Sequence, residues 1–130
     1  MIAVDTSALV AILFGEPEAE AFARIIFASG DAWIAAPTAL EFLMVASGRR
    51  PATGSVAAVL LLERPGLTIT PWDAPLVAIA AEAFARFGKG RHPAALNYGD
   101  CMAYALAKAT GRPLLYKGGD FALTDIVPAR

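Results

Sequence analysis

Four acidic side chains have surroundings that suggest chemistry: Asp5, Glu41, Asp100 and Asp120. Two unit charges about 4 Å apart repel by roughly 4 kcal/mol at an effective dielectric near 20, so acids that meet in one place need protons or a cation. A cluster that offers only carboxylate oxygens suits a hard cation. The single histidine and the single cysteine of the chain lack the spacing of a zinc site. We therefore expect an oxygen-only site for Mg²⁺, with Mn²⁺ as a substitute.

The order of the predicted elements would bring these acids to one edge of a sheet. Apolar segments predict strands at Ile2–Val4, Ala32–Ala35, Leu67–Thr70, Leu114–Tyr116 and Asp125–Val127. Between them the sequence predicts helices at Ala8–Phe14, from Glu16-Pro17-Glu18 onward, from Pro37-Thr38 to Arg49, and at Ser55–Glu63, Leu76–Phe87 and Tyr98–Thr110. Short apolar strands that alternate with helices favour an α/β fold, with a central parallel sheet flanked by helices on both faces. In such sheets ligands bind outside the carboxyl ends of the strands.

The acids fall where this architecture would place a site. Asp5 directly follows the first predicted strand, and Asp120 follows the fourth after a Gly-Gly turn. Glu41 and Asp100 lie in the first turns of predicted helices, where the helix dipole stabilises a carboxylate. Each acid alone has an ordinary structural explanation, such as Asp5 acting as a helix cap. Together on one edge they favour a metal site that activates water for attack on a phosphate.

Composition limits the other classes of protein. The chain has 130 residues, of which 57% are apolar and 18% charged, with a net charge of −1. These values favour one domain spanning residues 1–130 and exclude disorder, and a single cysteine excludes a disulfide scaffold. No apolar stretch approaches the roughly 20 residues that cross a bilayer, and the first residues lack the features of a signal peptide, so we expect a cytoplasmic protein. The apolar excess suggests that partners cover part of the surface.

The segments that contain the acids resemble the PIN-domain family, and within it the VapC toxins of toxin–antitoxin pairs. The resemblance covers essentially the whole chain and keeps the family's motif order. It rests on Ile2–Leu9 (IAVDTSAL), Leu40-Glu41-Phe42, Leu96–Ala105 (LNYGDCMAYA), and Leu114–Phe121 (LLYKGGDF) followed by Thr124-Asp125.

This resemblance implies a PIN-like fold and a Mg²⁺- or Mn²⁺-dependent endoribonuclease that hydrolyses phosphodiester bonds in RNA. It also implies a homodimer and a VapB-type antitoxin as partner. By motif match, the metal-binding and catalytic residues would be Asp5, Glu41, Asp100 and Asp120, supported by a hydroxyl of Thr6 or Ser7 and by Asp125 as an additional acid.

One basic segment is a candidate for contact with RNA. No acid occurs between Glu82 and Asp100, and the interval contains Arg86, Lys89, Arg91 and His92. A solvated loop would explain these residues equally well. Arg49 and Arg50 are interpreted as favouring the C-terminal end of their helix rather than as binding RNA. Lys117 is interpreted as an exposed residue at a strand end, with contact to a phosphate as the alternative.

Two other functions remain open at this point. One is a phosphotransfer or phosphatase domain on a similar sheet, although such a phosphatase carries a second Asp where this chain has Ser7. The other is a non-catalytic PIN module that only binds partners, against which the four intact acids argue.

Overall fold

A sheet of four short parallel strands forms the centre of the computed structural model, which describes residues 1–130. The strands are β1 (Ile2–Val4), β2 (Ala32–Ala35), β3 (Leu67–Thr70) and β4 (Leu114–Leu115). Their spatial order is β3-β2-β1-β4, and every pairing is parallel. The first three strands follow one another in one direction and β4 adds on the other side of β1. In open parallel sheets the crevice at such a reversal is the usual binding position.

Six helices connect and cover the strands. They are α1 (Thr6–Leu13), α2 (Ala19–Ser29), α3 (Ala36–Arg49), α4 (Gly54–Leu62), α5 (Ala74–Phe87) and α6 (Tyr98–Thr110), and a 3₁₀ turn follows at Phe121–Leu123. None of these helices combines the length and the apolar character that crossing a membrane requires.

The two faces of the sheet carry separate apolar cores, because successive strand residues point to opposite sides. Ile2 and Val4 of β1 pack with Phe22 of α2 and Phe42 of α3 in one core. Ala3 belongs to the other core, which α5 and α6 supply. Complete burial of a side chain such as Phe22 or Phe42 stabilises the fold by about 1.5–3 kcal/mol. The predicted arrangement of helices on both faces is therefore confirmed.

Helices α1 to α5 and strand β4 differ from the predicted elements by one to three residues at their ends. Helix α1 begins at Thr6 rather than Ala8, because Asp5 Oδ2 accepts a hydrogen bond from Ser7 N at 3.0 Å and caps the helix. Strand β4 ends at Leu115, one residue earlier than predicted.

The predicted strand Asp125–Val127 was wrong. This segment passes β4 with a single bridge, between Leu114 and Pro128. Proline has no backbone N–H to continue a ladder, and the Asp125 side chain is held by α6 instead, where the Tyr104 hydroxyl donates to its Oδ1 at 2.7 Å.

Arg112 occupies the amino edge of the sheet, opposite to the predicted site. Its side chain is 5% exposed, and its guanidinium donates to Asp31 O at 3.0 Å and lies 3.5 Å from the ring centre of Trp33. It also donates to Ile2 O at 3.3 Å, which ties the starts of β1 and β2 together. The acids predicted to act together lie at the other edge.

Candidate functional site

Asp5 is the buried centre of the carboxyl edge. It is 5% exposed and lies between β1 and α1. Its Oδ2 accepts hydrogen bonds from Ser7 N at 3.0 Å and Ser7 Oγ at 2.6 Å, while its Oδ1 accepts none from the protein. Burial raises the pKa of Asp5 to about 7, and the charges of Asp100 and Glu41 act in the same direction. A carboxylate in this setting favours binding a proton or a cation.

Ser7 also connects Asp5 to the segment that follows β4. The backbone N–H of Lys117 donates to Ser7 Oγ at 2.9 Å, and the same hydroxyl donates to Asp5. The expected supporting hydroxyl of Ser7 is therefore in direct contact with the acid.

Glu41 reaches the same edge from the second turn of α3. Its Oε1 accepts a hydrogen bond from the hydroxyl of Thr6, which lies 3.3 Å from Thr38 O. Its Oε2 lies against Gly99, where an added Cβ would come within 2.0 Å of that oxygen. Glu41 can therefore hold its carboxylate in this position only because residue 99 is glycine. Thr6, Glu41 and Gly99 bring α1, α3 and α6 together at one point.

Asp100 is fixed at the start of α6 by a capping box. Its Oδ2 accepts from Asn97 N at 3.0 Å, and Asn97 Oδ1 accepts from Asp100 N at 2.9 Å. Burial raises the pKa of Asp100, and the negative charges of Asp120 and Glu41 act in the same direction. The cap thus holds one oxygen of Asp100 and leaves the other without a hydrogen bond from the protein.

The structure gathers three of the four predicted acids in one cleft of about 340 Å³, which Asp5, Glu41 and Asp100 line together with Thr6 and Ser7. Asp120 is exposed and begins the 3₁₀ turn outside this lining. Its charge nevertheless contributes to the raised pKa of Asp100, so it lies within electrostatic range of the cleft.

The donor chemistry of the cleft suits a hydrated hard cation. No three of these side chains form a ready cage for a metal ion as they stand. Magnesium commonly keeps several waters and binds proteins through only one or two carboxylates together with substrate phosphates. Two buried or half-buried carboxylates with free oxygens, and no histidine or cysteine in the lining, fit that mode of binding.

The sequence did not predict that three further charged residues line the same cleft: Glu16, Arg49 and Lys117. A signal for Arg49 was present, because Glu41, Val45 and Arg49 are spaced four apart and so lie on one face of α3. Lys117 follows β4 at the same edge as Asp5, which also pointed to the cleft. Interpreting these cations as a helix-end charge and an exposed lysine therefore overlooked their shared position.

Asp125 does not join the acids of the cleft, contrary to the expectation of an additional acid there. Its carboxylate accepts hydrogen bonds from Tyr104 at 2.7 Å and Lys108 at 3.0 Å, and Arg86 lies 3.8 Å away. These partners belong to α5 and α6, so Asp125 anchors the C-terminal segment on that side.

The predicted RNA contacts also lie outside the cleft lining, which contains none of Arg86, Lys89, Arg91 and His92. His92 Nδ1 accepts a hydrogen bond from Ala94 N at 3.0 Å, and its ring packs edge-on against Phe87 at 5.0 Å. His92 therefore stabilises its loop, and contact of this loop with RNA stays a prediction.

Comparison with known proteins agrees with this arrangement. The model of the PIN domain matches residues 2–127. The chain belongs to the PIN-domain family. It is 43% identical to a protein named ribonuclease VapC from Mycolicibacterium smegmatis over 123 residues, covering 95% of each chain. It is 42% identical to ribonuclease VapC30 of Mycobacterium tuberculosis over 123 residues, covering 95% of this chain and 94% of the relative.

Solved structures share the fold of this PIN domain. VapC20 of Mycobacterium tuberculosis, described as a Sarcin-Ricin loop cleaving toxin, superposes with a TM-score of 0.76 at 21% identity and covers 98% of this chain and 97% of its own. A chain of a toxin–antitoxin complex from Klebsiella pneumoniae gives a TM-score of 0.75 at 16% identity, covering 100% and 98%. The predicted PIN-like α/β fold is confirmed.

Proposed function

We propose that this PIN domain is a Mg²⁺- or Mn²⁺-dependent endoribonuclease and the toxin of a VapBC-type toxin–antitoxin pair. The observation that carries the proposal is the meeting of three carboxylates from separate elements, Asp5, Glu41 and Asp100, in one cleft. Relatives that match nearly the full length of the chain are named VapC ribonucleases. This similarity favours a nuclease over the phosphatase and binding-module alternatives.

Asp5, Glu41, Asp100 and Asp120 are the residues that would hold the cation. A divalent ion bound there supplies polarisation of a phosphoryl oxygen and a more acidic water. The protein's own contribution is orientation. Ser7 fixes one oxygen of Asp5, Thr6 fixes one oxygen of Glu41, and the capping box fixes one oxygen of Asp100. Asp5, Glu41 and Asp100 therefore each keep one oxygen without a hydrogen bond while the rotation of the carboxylate is restricted.

The proton released by an attacking water must go to a carboxylate. His92, the only histidine, does not line the cleft, and its Nδ1 already accepts a hydrogen bond from Ala94 N. In the metal-free cleft, burial raises the pKa of Asp5 to about 7 and also raises the pKa of Asp100. The proposed proton acceptor is whichever of these carboxylates does not hold the cation.

The proposed partners are RNA, an antitoxin of VapB type and a second copy of the chain. Two exposed apolar surfaces support protein partners. One is a groove of about 480 Å³ whose eight lining residues are all apolar, among them Trp72, Phe84 and Tyr98. The other contains Leu40 and Met44 of α3, which are 58% and 65% exposed. Light scattering of the purified chain tests self-association, and a monomer at tens of micromolar contradicts the homodimer.

Cleavage of a fluorescently labelled RNA tests the central proposal. We expect cutting with Mg²⁺ or Mn²⁺, none in EDTA, and none by Asp5→Asn or Asp100→Asn with unchanged circular dichroism. Both variants remove a charge and keep the shape of the side chain, so they also control for a contaminating nuclease when purified identically. Cleavage in EDTA, or full activity in both variants, contradicts the proposal.

A further inference from the structure

The cleft contains an ion-pair network that the proposed chemistry does not use. Glu16 Oε1 accepts from Lys117 Nζ at 2.5 Å, and Glu16 Oε2 lies 3.7 Å from Arg49 NH1. Arg49 comes from the end of α3 and Lys117 from the segment after β4. One carboxylate therefore links two cations from distant parts of the chain, and all three residues line the cleft.

The turn between α1 and α2 holds both cations in place. The Phe14 ring lies 5.0 Å from the guanidinium carbon of Arg49, and Glu18 Oε2 lies 3.1 Å from Lys117 Nζ. The turn itself is fixed, because Glu16 N donates to Ala11 O at 2.9 Å and Glu16 O accepts from Ala19 N at 2.9 Å. The carboxylate of Glu16 is thus presented to the cleft by ordered backbone.

Lys117 is also fixed relative to the metal-binding acids. Its backbone N–H donates to Ser7 Oγ, which donates to Asp5. The backbone of Lys117 is therefore held beside Asp5, and its side chain lines the same cleft. No comparable connection joins the basic loop around Lys89 to the cleft, whose lining does not include that loop.

The charges in the cleft leave few groups that can attract a phosphate. Four carboxylates line it, those of Asp5, Glu41, Asp100 and Glu16, whereas Arg49 and Lys117 are its two cations. Affinity for a nucleic-acid backbone comes mainly from Lys and Arg. Glu16 is the one carboxylate that pairs with both cations, whereas Glu18 pairs with Lys117 alone, so a phosphate that bridges Arg49 and Lys117 must exchange with Glu16.

We propose that Arg49 and Lys117 bind the backbone phosphates of the RNA, and that Glu16 is an internal counter-ion that the phosphate displaces. This inference rests on the proposed ribonuclease function and adds the residues that contact its substrate. Glu16 would then weaken binding of every RNA to a similar degree, because phosphate contacts carry no sequence information.

Fluorescence anisotropy of a labelled single-stranded RNA, measured in EDTA at low salt, separates binding from cleavage. We expect Glu16→Gln to bind about two- to fivefold more tightly than the wild type, the range of an exposed ion pair. Lys117→Met should bind more weakly and lower the salt dependence by about 0.7 in log–log slope, the value for one phosphate contact on a single strand. The Glu16→Gln substitution should increase RNA affinity less in the Lys117→Met variant than in the wild type, because one of the two cations that Glu16 pairs with is then absent.

Glu20→Gln is the matched control. Glu20 lies in the first turn of α2, four residues after Glu16, but its only ion pair is with Arg24 at 2.8 Å on an exposed surface outside the cleft. It removes the same charge from the protein, so its effect on RNA binding measures net charge alone. Equal gains from Glu16→Gln and Glu20→Gln, or no measurable binding by Glu16→Gln, overturn the inference.

A second measurement distinguishes a counter-ion from a metal ligand. We expect Mn²⁺ to raise the thermal midpoint of Glu16→Gln as much as that of the wild type, and loss of that shift would make Glu16 a ligand and overturn the inference. Failure of the proposed function looks different: the wild type would not cut RNA with Mg²⁺, while the binding gain of Glu16→Gln persisted.

Discussion

The position of Glu41 depends on a residue with no side chain. An alanine at position 99 would place its methyl group 2.0 Å from Glu41 Oε2, so the carboxylate would have to move away. Glutamate is flexible, and alanine favours a helix over glycine by up to about 1 kcal/mol, so folding should lose little stability. We expect Gly99→Ala to keep its thermal midpoint within a few degrees and to cut RNA about 100-fold more slowly, as for a misplaced catalytic group.

Gly48→Ala is the matched control for this change. Gly48 also lies in a helix, α3, and an added Cβ there meets nothing within 4 Å. The control should gain stability and cut RNA at the wild-type rate. Equal activities of the Gly99→Ala and Gly48→Ala variants would show that Glu41 does not need its present position.

Single residues were predictable where local pattern determines their place. Asp5 follows an apolar strand and Asp100 begins a helix, so parallel-sheet geometry alone brings them to one edge. Glu16 was not predictable in this way. Its pairing with Arg49 and Lys117 depends on the path of the α1–α2 turn in space, and no local pattern encodes that path.

At the scale of elements, α6 connects the cleft to the C-terminal segment. Asp100 lies in its first turn, and Tyr104, one turn later, donates to Asp125 Oδ1 at 2.7 Å. Tyr104→Phe removes this hydrogen bond to a charged acceptor and leaves the buried ring, so we expect a loss of about 1–2 kcal/mol in the free energy of unfolding. Urea unfolding measures this loss of stability. Amide hydrogen exchange should also become faster at residues 121–127, the segment that contains Asp125.

Tyr98→Phe is the matched control, because it removes a tyrosine hydroxyl that makes no hydrogen bond to the protein. Tyr98 is on the same helix and is 77% exposed. Its variant should match the wild type in urea. A Tyr104→Phe variant as stable as Tyr98→Phe would mean that Asp125 does not anchor the segment.

Most elements followed from periodicity and caps, while the misjudged ones depended on contacts between distant residues. Ile126 and Val127 have the composition of a strand, yet Pro128 and the bond from Tyr104 to Asp125 leave the segment with one bridge to β4. The start of α1 is the exception, because it was misplaced by two residues although its cap is local: Asp5 Oδ2 accepts a hydrogen bond from Ser7 N.

At the scale of the whole molecule, the formal net charge of −1 conceals an uneven distribution of charge. Folding moves Asp5, Glu41 and Asp100 from separate parts of the chain into one cleft. The metal-free fold therefore contains repulsion and desolvation that the unfolded chain does not. The stability of the entire domain should report on the state of this one site.

The dependence of stability on pH follows from the direction of these pKa shifts. The ordinary pKa of Asp5 is 3.8, and folding raises it to about 7. Between these values the folded state binds more protons than the unfolded state, so the free energy of unfolding falls as pH rises. Each pKa unit corresponds to about 1.4 kcal/mol, so Asp5 alone sets an upper limit of a few kcal/mol, and Asp100 acts in the same direction. Urea unfolding in EDTA should therefore give a lower stability at pH 8 than at pH 5.

Mn²⁺ should reverse this trend, because a cation that binds the ionised carboxylates competes with the protons. At a concentration about 100 times its dissociation constant, a ligand of the folded state adds about 2.7 kcal/mol. We expect that gain at pH 8 and little of it at pH 5, where Asp5 is protonated. Asp5→Asn cannot ionise at this position, so it should show a weaker pH dependence in EDTA and a smaller gain from Mn²⁺. If the wild type in EDTA is equally stable at both pH values, the ionised carboxylates do not destabilise the metal-free fold. Relief of that destabilisation would then no longer be a reason for a cation to bind in the cleft.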